Sequence, residues 1–189
     1  MFIIYLSAAL LLILFAFILF RIIVRNDYLN RGKLSPISAF LEFVIFALHA
    51  NLLYLFIPVK WPELPSLSKN SLMYYPSLLL IILGLAVVMA SIIPLGYRRT
   101  MGLRSHELKK NGLYKITRNP QVIGYFSILV GLALSYPSFY ALGWIIIFGI
   151  IIHMMVMTEE EYLQKIYGEE YSNYLQQVPR YLGIISRSM

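Results

Sequence analysis

The sequence predicts an all-α fold: a polytopic integral membrane protein of about five transmembrane helices with a cytoplasmic C-terminal amphipathic helix. Three observations lead there. The 189 residues are 59% hydrophobic and only 13% charged, with a mean hydropathy of +0.71, whereas soluble domains are nearer a quarter charged. Apolar runs of membrane length recur between short polar segments. The basic residues fall in alternate connections rather than evenly along the chain.

The first span is expected at about Phe2 to Phe20, closed by Arg21 and Arg25. No cationic segment precedes it, so it reads as a retained span and not as a secretory signal. After the polar RNDYLNRGKLSP, Pro36 suits the start of a second span, about Ile37 to Ile57. That span carries Glu42, His49 and Asn51, which are intramembrane polar groups. Glu42 and His49 are seven residues apart, share a face, and are expected to bond between helices. The segment PVKWPELPSLSKNS holds three prolines, too many for a helix. The third span is about Tyr75 to Leu95. A long polar connection, Gly96 to Arg118, follows with seven of the 16 Lys and Arg and a single acid, Glu107. A fourth span at about Gln121 to Tyr136 and a fifth at about Phe139 to Met157 are joined by SYPSF, short enough to force a helical hairpin. Residues 158–178 are expected to form the amphipathic tail helix.

The charges agree with an N-terminus outside and a C-terminus in the cytoplasm. Lys and Arg number four over residues 21–36, seven over 96–120 and three in the tail, against two over 58–74 and none in the remaining link. The net charge of +7 is thus explained by loops facing anionic headgroups, and nucleic acid is excluded as a partner. The absence of cysteine rules out disulfides, thiolate metal sites and a cysteine nucleophile, and no metal site is expected.

Two polar stretches fall on the same predicted face. In GLYKITRNPQVIG (Gly112 to Gly124), Asn119-Pro120 favours an extended entry and a proline at the first position of a helix. The start of that helix, with Arg118 beside it, offers donors to an anion. In TEEEYLQKIYGEEY, Thr158 and Glu161 have capping-box spacing. Three adjacent glutamates on a basic face are also expected to meet something positive. Tyr162, Tyr167, Tyr171 and Tyr174 recur at helical spacing and are expected to pack. A ligand with a carboxylate, cationic groups and an aromatic ring fits this combination; a phosphate-bearing nucleotide fits the anion half.

GLYKITRNPQVIG resembles the G-x-Y-x-x-x-R-H/N-P-x-x-x-G stretch of integral-membrane methyltransferases, the isoprenylcysteine carboxyl methyltransferase and phospholipid methyltransferase relatives. The segment EEEYLQKIYGEEYSNY from Glu159 resembles their E-E-x-x-L-x-x-x-F/Y-G-x-x-Y-x-x-Y. Both occur in the family order, and the resemblance covers about Leu95 to Leu182. It implies S-adenosylmethionine as cofactor and a lipophilic acceptor entering from the bilayer. It also implies a division into N-terminal spans (1–95) and a methyltransferase core (96–189), the latter comprising the cofactor loop, the hairpin 121–157 and the tail helix. By position, the implied cofactor contacts are His106, Glu107, Leu108, Lys109, Tyr114, Asn119, Pro120, Gln121, Val122 and Glu159. Arg118, Glu159 and Glu160 are the implied catalytic residues. Arg118 and Asn119 would face the methionine carboxylate and Glu159 the amino group or sulfonium.

The chain departs from the carboxyl methyltransferases at three positions. Asn119 stands where they have His, Val122 replaces a common Tyr, and Met155 occupies the place of a substrate-binding Arg. A carboxylate acceptor thereby loses a partner, and an amine acceptor is equally open, with Glu160 or His153 as bases. Two other classes share these features: a sterol-type membrane reductase using NADPH, and a non-catalytic membrane scaffold.

Overall fold

In a computed structural model, residues 1–63, 65, 72–93 and 108–183 are described. Among them the chain is helical, with no strand. Six helices follow in order: α1 (Phe2–Arg31), α2 (Pro36–Leu55), α3 (Tyr74–Ile92), α4 (Pro120–Ser135), α5 (Phe139–Tyr167) and α6 (Glu169–Gln177). The first three and α5 are long and apolar enough to cross a bilayer. The 16 residues of α4 reach about 24 Å, short of the roughly 30 Å hydrocarbon core. Exposed apolar residues such as Phe43 (70%) and Leu142 (55%) give the outer faces the character of lipid contact. The chain is a multi-pass membrane protein.

Two helices outrun their predicted spans, and both overhangs matter to the site. α1 runs through Arg31 and stops at Gly32, whose φ of 67° is costly for other residues. Within it, Phe17–Val24 is π-helical. The widened turn bonds each carbonyl five residues on; the Phe20 carbonyl takes the Arg25 N–H and also accepts from Thr158 Oγ1 at 3.0 Å. α5 has 29 residues, about 44 Å at helical rise, and continues without a break to Tyr167. Thr158 is therefore not an N-cap, as its spacing to Glu161 had suggested. It is 1% exposed inside α5, bonded to Phe20 and Met154 carbonyls and receiving Arg21 Nη1 at 3.0 Å. The actual cap of α5 is Ser138, whose hydroxyl accepts from the Ala141 N–H at 3.1 Å. The chain breaks ten residues later than expected, at Gly168 (φ 50°), and α6 starts there.

The bundle has two parts. α1, α2 and α5 share a core of Tyr5, Leu12, Leu19, Phe20, Ile45, Trp144 and Ile151. Across it, His49 Nε2 meets the Trp144 carbonyl at 2.9 Å and Trp144 Nε1 donates to the His49 carbonyl at 2.8 Å, with the two rings stacked 3° from parallel. α4 pairs chiefly with α3 rather than with α5, so the expected hairpin is connected in sequence but is not the tightest pair. The reason is steric. A Cβ on Gly84 would lie 2.6 Å from the Gly124 carbonyl, and one on Gly124 would lie 2.7 Å from the Gly84 carbonyl. Small residues let these two backbones touch.

Candidate active site

The last turns of α1 and α5, the start of α4 and the whole of α6 meet at one end of the bundle. The descent into α4 is made by a 3₁₀ turn, Gly112–Lys115, entered by Gly112 at φ 63°. It buries Tyr114, whose hydroxyl donates to Gln121 Oε1 at 3.1 Å. The Tyr114 carbonyl accepts from the Tyr174 hydroxyl of α6 at 2.6 Å. Burial pushes the Tyr174 phenol up to about 12, so it stays a donor at physiological pH. Next in the chain, the Arg-Asn-Pro corner is stitched to the segment after α6. The Arg118 N–H donates to the Pro179 carbonyl at 2.9 Å, and Asn119 Nδ2 and Thr117 Oγ1 donate to the Arg180 carbonyl at 3.0 and 3.2 Å. Pro120 then takes the first helical position of α4.

The three glutamates part company because successive helical residues point about 100° apart. Glu161 turns to α1 and pairs with Arg21 and Arg25, each at 2.6 Å. Glu160 turns to the corner. It receives Arg180 Nε at 3.1 Å on both oxygens and Nη2 at 2.7 Å, with Arg118 Nη2 at 3.5 Å. Glu159 has no hydrogen bond or ion pair among the described residues. It opens into a cavity of about 310 Å³, within the size range of small-ligand sites.

That cavity gathers most of the sequence-predicted residues. Leu108, Lys109, Tyr114, Arg118, Asn119, Gln121, Glu159 and Glu160 all line it. Arg118 has a side chain only 10% exposed, and its Nε is buried without a partner among the described residues. Asn119 lines the wall, but its amide donor is already engaged by Arg180. Two predicted contacts turn elsewhere. Val122 is 4% exposed in an apolar seam with Phe148, Ile152 and Val156 of α5, and Pro120 is fully buried. Their positions in the first turn of α4 direct them inward to the bundle. His106 and Glu107 lie outside the described residues.

Other lining residues carried no functional expectation. The tyrosines of α5 and α6, expected only to pack, present Tyr162, Tyr167, Tyr171 and Tyr174 to the cavity. Met155 lies on the same wall, four residues before Glu159. Glu42 of α2, expected to bond between helices, instead lines the cavity with no hydrogen bond or ion pair among the described residues. Tyr28 of α1 stands beside it, stacked on Tyr162 at 4.4 Å. His153, a candidate base in the sequence, does not line the cavity; its Nδ1 meets the Tyr181 hydroxyl at 3.3 Å. Arg180 gave no sequence signal because its partners lie 20 and about 60 positions away. The intramembrane acid at 42 was visible, but nothing local tells whether such a group faces a helix or a cavity.

The arrangement is a largely apolar, tyrosine-lined chamber whose wall holds a guanidinium, Arg118, and two carboxylates that have no ion pair among the described residues, Glu42 and Glu159. The phospholipid methyltransferase family matches residues 72–170 of the chain, a stretch that includes α4, α5, the Arg-Asn-Pro corner and the glutamates. No match was found among curated proteins or among solved structures.

Proposed function

The chain belongs to the phospholipid methyltransferase family, and from that premise we propose that it is an S-adenosylmethionine-dependent membrane enzyme that methylates a lipid-borne amine. One observation carries the cofactor assignment: Arg118, with a buried Nε lacking a partner, and Glu159, a carboxylate lacking a cation, line the same cavity. A buried polar atom without a partner is costly, so the chamber suits a ligand with an anionic and a cationic end. Arg118 would hold the methionine carboxylate, and Glu159 the amino group or sulfonium. Tyr167, Tyr171 and Leu108 would flank the adenine. The donor, when bound, supplies a methyl group activated on a sulfonium.

The chain's own groups do the rest. Glu160 is held by Arg118 and Arg180 and fixes the guanidinium of the first, so its role is positioning rather than proton transfer. Apolar residues including Met155, Leu163 and Ile166 exclude water, and the reaction is accelerated chiefly by alignment and desolvation. An amine acceptor is favoured over a carboxylate because the unpaired charges in the cavity are acids, and because Met155 supplies no cation. In this reading the N-terminus lies outside and the chamber at the cytoplasmic face, the orientation that the excess of basic residues in alternate loops favours. The core of residues 96–189 would carry the donor site, with Tyr28 of α1 closing its wall.

Calorimetric titration of the purified protein with S-adenosylmethionine should give saturable binding, and NADPH none. Glu159→Gln should weaken donor binding by at least tenfold. Unchanged affinity in that variant, or binding of NADPH instead, would overturn the reading.

A further inference from the structure

Glu42 lies outside the family-matched region, on a helix that the two sequence motifs do not touch, yet it reaches the same chamber. Its surroundings differ from those of the other acids. Glu160 and Glu161 each have arginines. Glu42 has none among the described residues, and it shares the wall of one cavity with Glu159. A second unpaired acid at membrane depth is expensive unless a cation joins it. The donor carries both an ammonium and a sulfonium; with Glu159 at the ammonium, the sulfonium loses its charge as the methyl leaves, so a counter-charge that persists beside Glu42 comes from the acceptor.

The position of Glu42 indicates where that cation comes from. α2 packs on α1 and α5, and the opposite wall, with Ile92 of α3 and Tyr125 of α4, does not pack closely on α2 among the described residues. On α2 itself, Phe40 and Phe43 are 64% and 70% exposed and form an apolar outer face. Glu42, about 100° round the helix from Phe43, turns from that face into the chamber that Glu159 also lines.

Resting on the methyl-transfer reading above, we propose that Glu42 is the acceptor-binding residue, which receives the lipid ammonium and takes one of its protons. The ammonium N–H bond breaks, its electrons stay on nitrogen, and the proton passes to a Glu42 oxygen. The nitrogen lone pair then forms the N–C bond. The C–S bond breaks with its pair returning to sulfur, leaving a neutral thioether and a methylated ammonium.

The test uses the full chain in phosphatidylethanolamine vesicles and, separately, with a long-chain primary amine in detergent, each with radiolabelled methyl donor. Glu42→Gln should bind the donor within about twofold of the parent yet lose at least tenfold in turnover of both acceptors. Glu42→Asp should regain part of that loss, which a packing role for the side chain would not give. Loss with the phospholipid alone would assign Glu42 to its headgroup; loss with both assigns it to the amine itself. In the parent protein, a hydrophobic carbodiimide should label Glu42, and dodecyltrimethylammonium, a non-nucleophilic cation, should protect it. Donor binding with undiminished turnover in Glu42→Gln, or labelling that the ammonium does not reduce, would overturn this inference and leave the methyl-transfer reading standing. Failure of the parent to bind the donor would overturn both.

Discussion

Glu159, Glu160 and Glu161 are chemically identical neighbours with three separate environments. Helical rotation sends one to the chamber, one to Arg118 and Arg180, and one to Arg21 and Arg25. The middle one depends most on geometry. Arg180 presents a planar fork to both carboxylate oxygens of Glu160, while its carbonyl holds Asn119 and Thr117. The Glu160 bond also holds the Arg180 guanidinium above its ordinary pKa. A lysine supplies a point charge without the fork. We therefore expect Arg180→Lys to lower donor affinity nearly as much as Arg180→Ala, by roughly tenfold, read by calorimetry. An affinity for Arg180→Lys equal to that of the parent would show that only charge matters there.

At the scale of elements, the seam between α3 and α4 sets where the Arg-Asn-Pro corner sits, since α4 begins at that corner. The seam is made by glycines whose missing side chains allow backbone contact, Gly84 against Gly124, with Gly131 against the Ser77 carbonyl. A methyl group at Gly124 would meet the Gly84 carbonyl at 2.7 Å and the Val88 backbone nitrogen at 2.9 Å. Neither atom belongs to a flexible side-chain end, so the helices must separate. Overpacking of this kind costs about 1–3 kcal/mol. Gly124→Ala should lower the melting temperature in detergent and weaken donor binding together, whereas Gly149→Ala, with nothing within 4 Å of the added carbon, should change neither.

At the scale of the molecule, α1 and α5, of 30 and 29 residues, are longer than the roughly 30 Å hydrocarbon core requires, and their last turns help to wall the chamber. Lys165 Nζ reaches the Leu29 carbonyl, and Tyr162 donates to the Gly32 carbonyl, so the two overhangs are tied side by side. Both stand at the end of the bundle that holds Arg21, Arg25, Arg118 and Arg180. Because the chain has no cysteine, single cysteines report cleanly on sidedness. One placed at Asn173 should react with a membrane-impermeant maleimide only from the cytoplasmic side, and one at Ser138 only from outside. The reverse pattern would invert the orientation.

Apolar runs and two motifs were sufficient to read an all-helical membrane fold and the family, and eight of the residues named from the motifs line the chamber, because spans follow from local hydropathy and motif residues recur at fixed spacing. Tertiary contact decided the rest. Local sequence at Thr158 favoured a cap, yet the Phe20 carbonyl and Arg21 of α1 bond its hydroxyl inside a continuous helix. Arg180 finds its partners about 20 and 60 positions away, and Glu42 turns to the chamber. Whether a polar side chain meets a counter-charge, a neighbouring backbone or a cavity depends on which surfaces the bundle brings together, which no window along the chain contains.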